Sequence, residues 1–273
     1  MSGDRNNNVI SSLGAIIGII GQFIAIVITI EEYISKSQSS WKIVFVYTVT
    51  SMFTVMCIFA IRSLIYNNNN EFANWIKFNL QKDKGSYYLK SKTLTYEYTD
   101  RTHINHEREF VVYPLKNDVA SIRDRYIYSG KTKCELNPTI AGQNITNVVE
   151  DELGAIRYSI TTPESCVKRT PITFGMRMNT LYDPEKKAKT FLSTVIYEPT
   201  ELLVMKVKFG ISVEPINAQI KEYECYTNDR TAIYLGDLKF NSEERELKYE
   251  LKYPVLGHQY VIRWNFRNEV PAT

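Results

Sequence analysis

Hydrophobic and polar positions divide this chain into two regimes. Val9 to Ile30 is a run of 22 residues without a formal charge, and Ile43 to Ile61 is a second uncharged run that ends at Arg62. About 20 apolar residues cross a hydrocarbon core as a helix, so the pattern predicts two spans, 9–30 and 43–65. Only Glu31 to Trp41 and Lys42 join them, which makes a helical hairpin. Asn67 to Asn70 then breaks the apolar pattern. Glu71 to Leu80 places Phe72, Trp75, Ile76, Phe78 and Leu80 near helical spacing, either as an interfacial helix or as a core helix of the soluble domain.

From Ser86 the period changes to two. Tyr87–Tyr98, Phe110–Leu115, Ser121–Tyr128, Gly154–Thr161 and Pro171–Met178 read as strands. Phe191–Tyr197, Leu202–Phe209, Tyr223–Tyr226, Ala232–Phe240, Leu247–Tyr253 and Tyr260–Phe266 continue the series. Turn signals such as Tyr182-Asp183-Pro184, Thr227-Asn228-Asp229 and Leu256-Gly257 separate them. That is about ten or eleven short strands without strand–helix–strand alternation. The expected fold is a membrane-anchored all-β chain: a two-helix transmembrane hairpin followed by an antiparallel β-sandwich or β-barrel. The expected division is hairpin 1–66, linker or interfacial helix 67–85, and β-rich sensor domain 86–273. The polar stretch 131–154, with Pro138 and Gly142, is either a long loop or a join between two halves.

Charge sets the orientation. Arg5 precedes the first run. The connecting loop balances Lys36 and Lys42 against Glu31 and Glu32. Arg62, Lys77, Lys82, Lys84, Lys90 and Lys92 follow the second run. Both termini are therefore expected in the cytoplasm. The first run is too long for a signal-peptide core and lacks a cleavage site after Ile30, which favours a retained anchor. The four cysteines show no disulfide framework.

The first run also carries a stripe of small residues, Ser11, Gly14, Gly18, Gly21 and Ala25, on one helical face. Such a face lets helices approach closely in lipid. It either packs the hairpin on itself or joins copies into a homo-oligomer. No Asp, Glu or Arg lies in mid-span, which argues against a transport path.

The net charge of +3 is too small to argue for direct DNA binding. His103-x-x-His106 lacks the HExxH or CxxC frame of a metal site, and no G-x-S-x-G elbow or phosphate-binding loop occurs. No enzymatic activity, metal or cofactor is expected. Basic and aromatic residues do interleave: Arg123, Arg125 and Tyr126; Arg157, Arg169 and Arg177; Arg263 and Trp264. Arg beside an aromatic ring suits a ligand with phosphates and flat rings, and is equally at home on ordinary strand surfaces. Arg123 and Arg125 alternate with Tyr126, so one face of that strand cannot present all three.

An Asn-, Lys- and Tyr-rich chain with a two-helix hairpin and a cytosolic β domain resembles the two-transmembrane, β-rich effectors of bacterial antiphage defence. In the cyclic-oligonucleotide-responsive versions a lipocalin-like β-barrel binds a nucleotide second messenger, the helices cluster, and the inner membrane is compromised. Similar two-helix effectors accompany retrons. The resemblance rests on architecture and carries over no binding residue. It implies a multi-pass protein of the bacterial inner membrane that oligomerises, forms pores and answers to a cyclic nucleotide ligand or a partner defence protein. Two alternatives stand beside it: a membrane-anchored β-sandwich scaffold for another protein, and an externally facing envelope module.

Overall fold

The computed structural model describes residues 48–49, 51–53, 55–56, 71–99, 104–127, 135–150, 155–179, 190–210, 214–225 and 232–266. They fall in two compact units, Met1–Ile76 and Lys77–Thr273. Among the described residues, no helix is long and apolar enough to cross a membrane. The first apolar run and its small-residue stripe lie outside the described residues. Of the second run, residues 48–49, 51–53 and 55–56 are described, and they are helical.

A helix α1 (Glu71–Gln81) and a 3-10 turn (Lys82–Lys84) precede the strands. In the last turn of α1, Phe78 packs edge-on against Tyr88 and obliquely against Tyr253, at ring distances of 5.6 and 5.3 Å. This end of the helix therefore contributes to the packing of the second unit.

The second unit is mostly strand and sandwich-like. Its strands are β1 (Tyr87–Tyr98), β2 (Ile104–Pro114), β3 (Val119–Ile127), β4 (Glu135–Pro138), β5 (Asn144–Glu150), β6 (Ala155–Cys166) and β7 (Ile172–Asn179). Then come β8 (Phe191–Val195), β9 (Thr200–Phe209), β10 (Pro215–Glu224), β11 (Ala232–Asp237), β12 (Glu246–Lys252) and β13 (His258–Phe266). A six-stranded sheet, β12-β9-β1-β2-β7-β4, forms one layer. Two smaller sheets, β11-β10-β13-β8 and β3-β6-β5, cover the same face of it.

Side-chain parity explains the layering. In β1, Lys92, Leu94, Tyr96 and Tyr98 are buried, while Glu97 is exposed. Their partners on β9 are Leu203, Met205, Val207 and Phe209, also buried. This half of the large sheet packs on the four-stranded sheet through Leu192, Ile220, Ile262 and Trp264. Tyr98 stacks on Phe209, and Trp264 meets both rings edge-on. Such pairs add about 0.5–1.5 kcal/mol each beyond area burial. The other half, with Phe110, Phe174, Met176 and Met178, packs on Ile122, Tyr126, Tyr158 and Ile160 of the three-stranded sheet.

Two features depart from the sequence expectation. The β1–β9 pair is parallel, inside a sheet whose other pairs are antiparallel. Seven strands separate the two partners in sequence, enough chain for the return that parallel pairing needs. The polar stretch 131–154 also contains β4 and β5, which extend different sheets. β4 and β5 lack buried apolar alternation, which is why periodicity misses them.

The turn between β4 and β5 is held by Gln143. Its amide nitrogen donates to the Thr173 carbonyl at 2.7 Å, and its amide oxygen accepts from Gly175 N–H at 3.1 Å. Gly175 makes room for this turn: a Cβ there would lie 2.0 Å from Thr139 Oγ1 and 3.3 Å from Thr139 Cβ. Gly175→Ala is expected to lower stability by about 1–3 kcal/mol through overpacking. Thr139→Ala should recover part of that loss in a double-mutant cycle read by thermal unfolding.

Candidate functional site

The centre of the second unit holds a cluster of charge where apolar packing would be the norm. β1 supplies Lys92, β2 supplies Arg108 and His106, β3 supplies Asp124 and Tyr126, and β6 supplies Tyr158. Each reaches the interior by strand parity. Arg108 shares its face of β2 with Phe110 and Val112, and Asp124 shares its face of β3 with Ile122 and Tyr126. A bulge between Leu89 and Ser91 shifts the pairing of β1, so that Leu89 and Lys92 both face inward.

Asp124 is the hub. It is paired with Arg108, accepts a hydrogen bond from Tyr158 Oη at 2.7 Å and receives Lys92 Nζ at 3.4 Å. All three charged side chains are at most 5% exposed. Arg108 also donates to the Arg125 carbonyl at 3.1 Å and lies over the Tyr126 ring at 4.9 Å. Its Nε faces His106 Nε2 at 3.4 Å. Tyr96 and Tyr126 join hydroxyls at 2.9 Å.

Burial alone would raise the Asp124 carboxyl; the Arg108 and Lys92 charges and the Tyr158 hydrogen bond overcome it and hold the group well below the usual carboxylate range. Burial pushes the Lys92 pKa down, with Asp124 opposing and Arg108 reinforcing. Burial and the Asp124 charge together keep the Tyr158 phenol protonated.

Lys92 also donates to the Val195 carbonyl, at 3.3 Å, on β8. It thus bonds to both covering sheets. A narrow crevice opens where they meet. Leu89, Lys92 and Phe110 of the large sheet line it, as do Ile122, Arg123 and Asp124 of β3. Ile196, Tyr197 and Glu198, on the crossing from β8 to β9, form the opposite side. Water-sized space within it is ≈ 10 Å³, on the order of one water molecule. Glu198 is half-buried, and its carboxyl is raised by burial, against a hydrogen bond from Tyr87 and the Lys92 charge.

A second buried polar group lies on β10 and β13. Glu222 Oε1 bonds His258 Nδ1 and Tyr260 Oη, both at 2.8 Å, and Tyr260 Oη accepts from Val255 N–H at 2.9 Å.

The residues singled out by sequence are distributed over several surfaces. Arg123, Arg125 and Arg157 share the outer face of the three-stranded sheet, with Arg125 directly opposite Arg157. Of the eight, Arg123 alone lines the crevice. Tyr126 points inward against Arg108. Arg169 is exposed after β6. Arg177 pairs with Glu107 at 3.3 Å on the outer face of the large sheet. Arg263 is exposed, and Trp264 is a core residue, 2% exposed. His106 is fully buried in the charge cluster, and His103 lies outside the described residues. The signal for the cluster was parity: charged residues on the apolar side of β1, β2 and β3.

No protein-family model and no curated protein matches the chain. Among solved structures it is similar to an M1 zinc metallopeptidase from Deinococcus radiodurans. A mutant of that enzyme bound to a Tyr-Ser-Ala substrate aligns with TM-score 0.36 and 9% identity, over 65% of this chain and 42% of that one. A second structure, of the M1 zinc metallopeptidase from the same organism, aligns with TM-score 0.36 and 8% identity, over 66% of this chain and 43% of that one. The chain spans less than half the length of these structures, and a likeness at this level carries no argument about activity.

Asp124→Asn removes the charge that compensates two buried cations, and is expected to cost about 3–5 kcal/mol. Arg123→Ala, next in sequence but exposed, should stay within about 0.5 kcal/mol. Because the folded Asp124 pKa is depressed, its contribution is fully present above about pH 4 and is lost as the pH falls further toward the folded value. Urea unfolding between pH 7 and pH 2 should show a steeper acid loss for the parent protein than for Asp124→Asn.

Proposed function

We propose that this chain is a membrane effector of the antiphage type. In this reading the β-rich unit lies in the cytoplasm and receives a signal, a nucleotide second messenger or a partner protein. The N-terminal hairpin then oligomerises and disrupts the bacterial inner membrane. The domain senses and does not catalyse. The observation that carries the proposal is the order of parts: two uncharged runs of membrane-spanning length, closely joined, ahead of a sandwich-like β unit.

The β unit supports a receiving role in one respect. Its two covering sheets meet over a buried charge cluster, and Lys92 bonds to both. A change at that junction is felt by both halves of the second unit. Transmission to the hairpin is part of the proposal.

The small-residue stripe is assigned to helix–helix contact between copies. Inducible expression with a membrane-potential dye tests this. The parent protein, given its trigger, should depolarise cells, and Gly14→Leu or Gly18→Leu should abolish depolarisation while the protein still inserts. Undiminished depolarisation by correctly inserted variants would overturn the assignment. An unchanged potential in the parent under every condition, with the protein confirmed in the membrane, would favour a tethered scaffold.

A further inference from the structure

Exposed positive charge gathers at the end of the second unit where the chain enters it. Three stretches meet there. Leu115 N–H donates to the Ser86 carbonyl at 2.8 Å, which ties the β2–β3 turn to the start of β1. Lys168 N–H donates to Asn117 Oδ1 at 2.8 Å, and Arg169 N–H donates to the Pro114 carbonyl at 2.9 Å. These two bonds fasten the β6–β7 turn to the β2–β3 turn. Residues 115–118 and 167–170 thus form one fixed tip, close in sequence and space to the 3-10 turn Lys82–Lys84.

The tip presents Lys116, Lys168 and Arg169, all exposed, against a single acid, Asp118. Among the described residues, none of these three cations is in an ion pair. Lys84, exposed on the entry turn, adds a fourth cation, with Asp83 beside it. Val167 lies in the same turn as Lys168 and Arg169 and is 65% exposed. An apolar side chain left in water among cations suits a partner that is anionic at its surface and apolar beneath.

Arg169 is the telling residue. Thr170 N–H closes the turn on the Val167 carbonyl at 3.0 Å, and Arg169 takes φ 64° at the third position. Glycine adopts that conformation without steric cost, and a residue with a Cβ does not. The backbone gains nothing from arginine there. What arginine adds is an exposed guanidinium at the tip.

We propose that this tip is a membrane-contact surface, in which Lys116, Lys168 and Arg169 bind anionic lipid headgroups and Val167 enters the interface among them. Cations are drawn to an anionic leaflet within a Debye length of its surface. Arginine forks onto phosphate oxygens, and lysine meets them as a point charge. Burial of Val167 adds an apolar contribution that a soluble polyanion does not offer. Continuity of the chain also favours lipid as the occupant, because β1 starts at this end and the second apolar run precedes it with only α1 and its flanks between. The surface rests on the membrane reading of the hairpin for its setting, and its test is separable from that reading.

The full chain is reconstituted in lipid nanodiscs of phosphatidylcholine, alone or mixed with phosphatidylglycerol. Lysine reactivity toward a water-soluble acetylating reagent is read by mass spectrometry. Lys116 and Lys168 should react several-fold more slowly with phosphatidylglycerol present, and high salt should restore them. Lys208 is exposed and pairs with Glu97 near the opposite end of β1, so its reactivity should not change. Arg169→Gly should lose about half of the protection, with thermal stability unchanged or raised because glycine fits the turn. A purely structural Arg169 would give lower stability and unchanged protection. Val167→Ser keeps every charge and should weaken the protection in part.

Equal reactivity of Lys116 and Lys168 in the two bilayers would overturn the surface. Equal protection by soluble polyphosphate over phosphatidylcholine would overturn lipid as its partner. Alkaline carbonate extraction of cell membranes tests the hairpin separately. A chain that stays in the membrane but shows no lipid-dependent protection keeps the hairpin and removes the tip contact. A chain released by carbonate, yet protected by added phosphatidylglycerol vesicles, keeps the tip contact and removes the hairpin.

Discussion

The Asp124 carboxylate sits beneath a three-stranded sheet, out of water, and has to be satisfied there. Arg108, Lys92 and Tyr158 do so from three different strands. Replacing such a cluster by apolar residues is often neutral or stabilising, so its net contribution to stability is small. What it supplies is register. A one-residue slip of β3 would turn Arg123 or Arg125 inward, toward two existing cations, and turn Asp124 out. Apolar packing alone would tolerate some sliding of this small sheet. The charges do not.

The four-stranded sheet is fixed differently. Its contact with β1 and β9 is an aromatic and aliphatic core in which Tyr98, Phe209 and Trp264 interlock. One half of the upper layer is therefore held by shape and the other by charge as well as shape. Lys92 is where the two schemes meet, because its ammonium bonds a side chain of one sheet and a backbone carbonyl of the other. Changing the partners of Lys92 perturbs the charge-held sheet directly and the shape-held sheet only through the Val195 carbonyl.

Much of this was legible in the sequence. Alternation located β1 to within its ends, and also β7, β9, β12 and β13, because each has one face committed to a core. It placed only the end of β10, since Pro215 and the irregularity at Ile216/Gln219 obscure its start. It missed β4 and β5, whose exposed residues leave no periodic trace. The same parity that located β1 also placed Lys92 on the side of Leu94, Tyr96 and Tyr98. Reading Arg with Tyr for ligand recognition drew attention to Arg123 and past Asp124, its neighbour. A charged residue on the apolar side of a strand was the better indicator. The crevice itself depends on where the β8–β9 crossing returns to the large sheet, a long-range fact with no local signature.

The parallel β1–β9 pair has a consequence for the order in which the protein forms. The core beneath the three-stranded sheet draws on residues 87–178 and is complete once β7 has been made. The other core needs β8, β9, β10, β12 and β13, yet its central strand is β1. On the ribosome, the inner faces of Leu94 and Tyr98 are therefore not fully covered until β13, twelve strands after β1, has emerged. Over that interval the nascent chain is a half-built sandwich with a bare aromatic strip at its open edge. Chaperone capture and mispairing with another copy both compete with the arrival of β9.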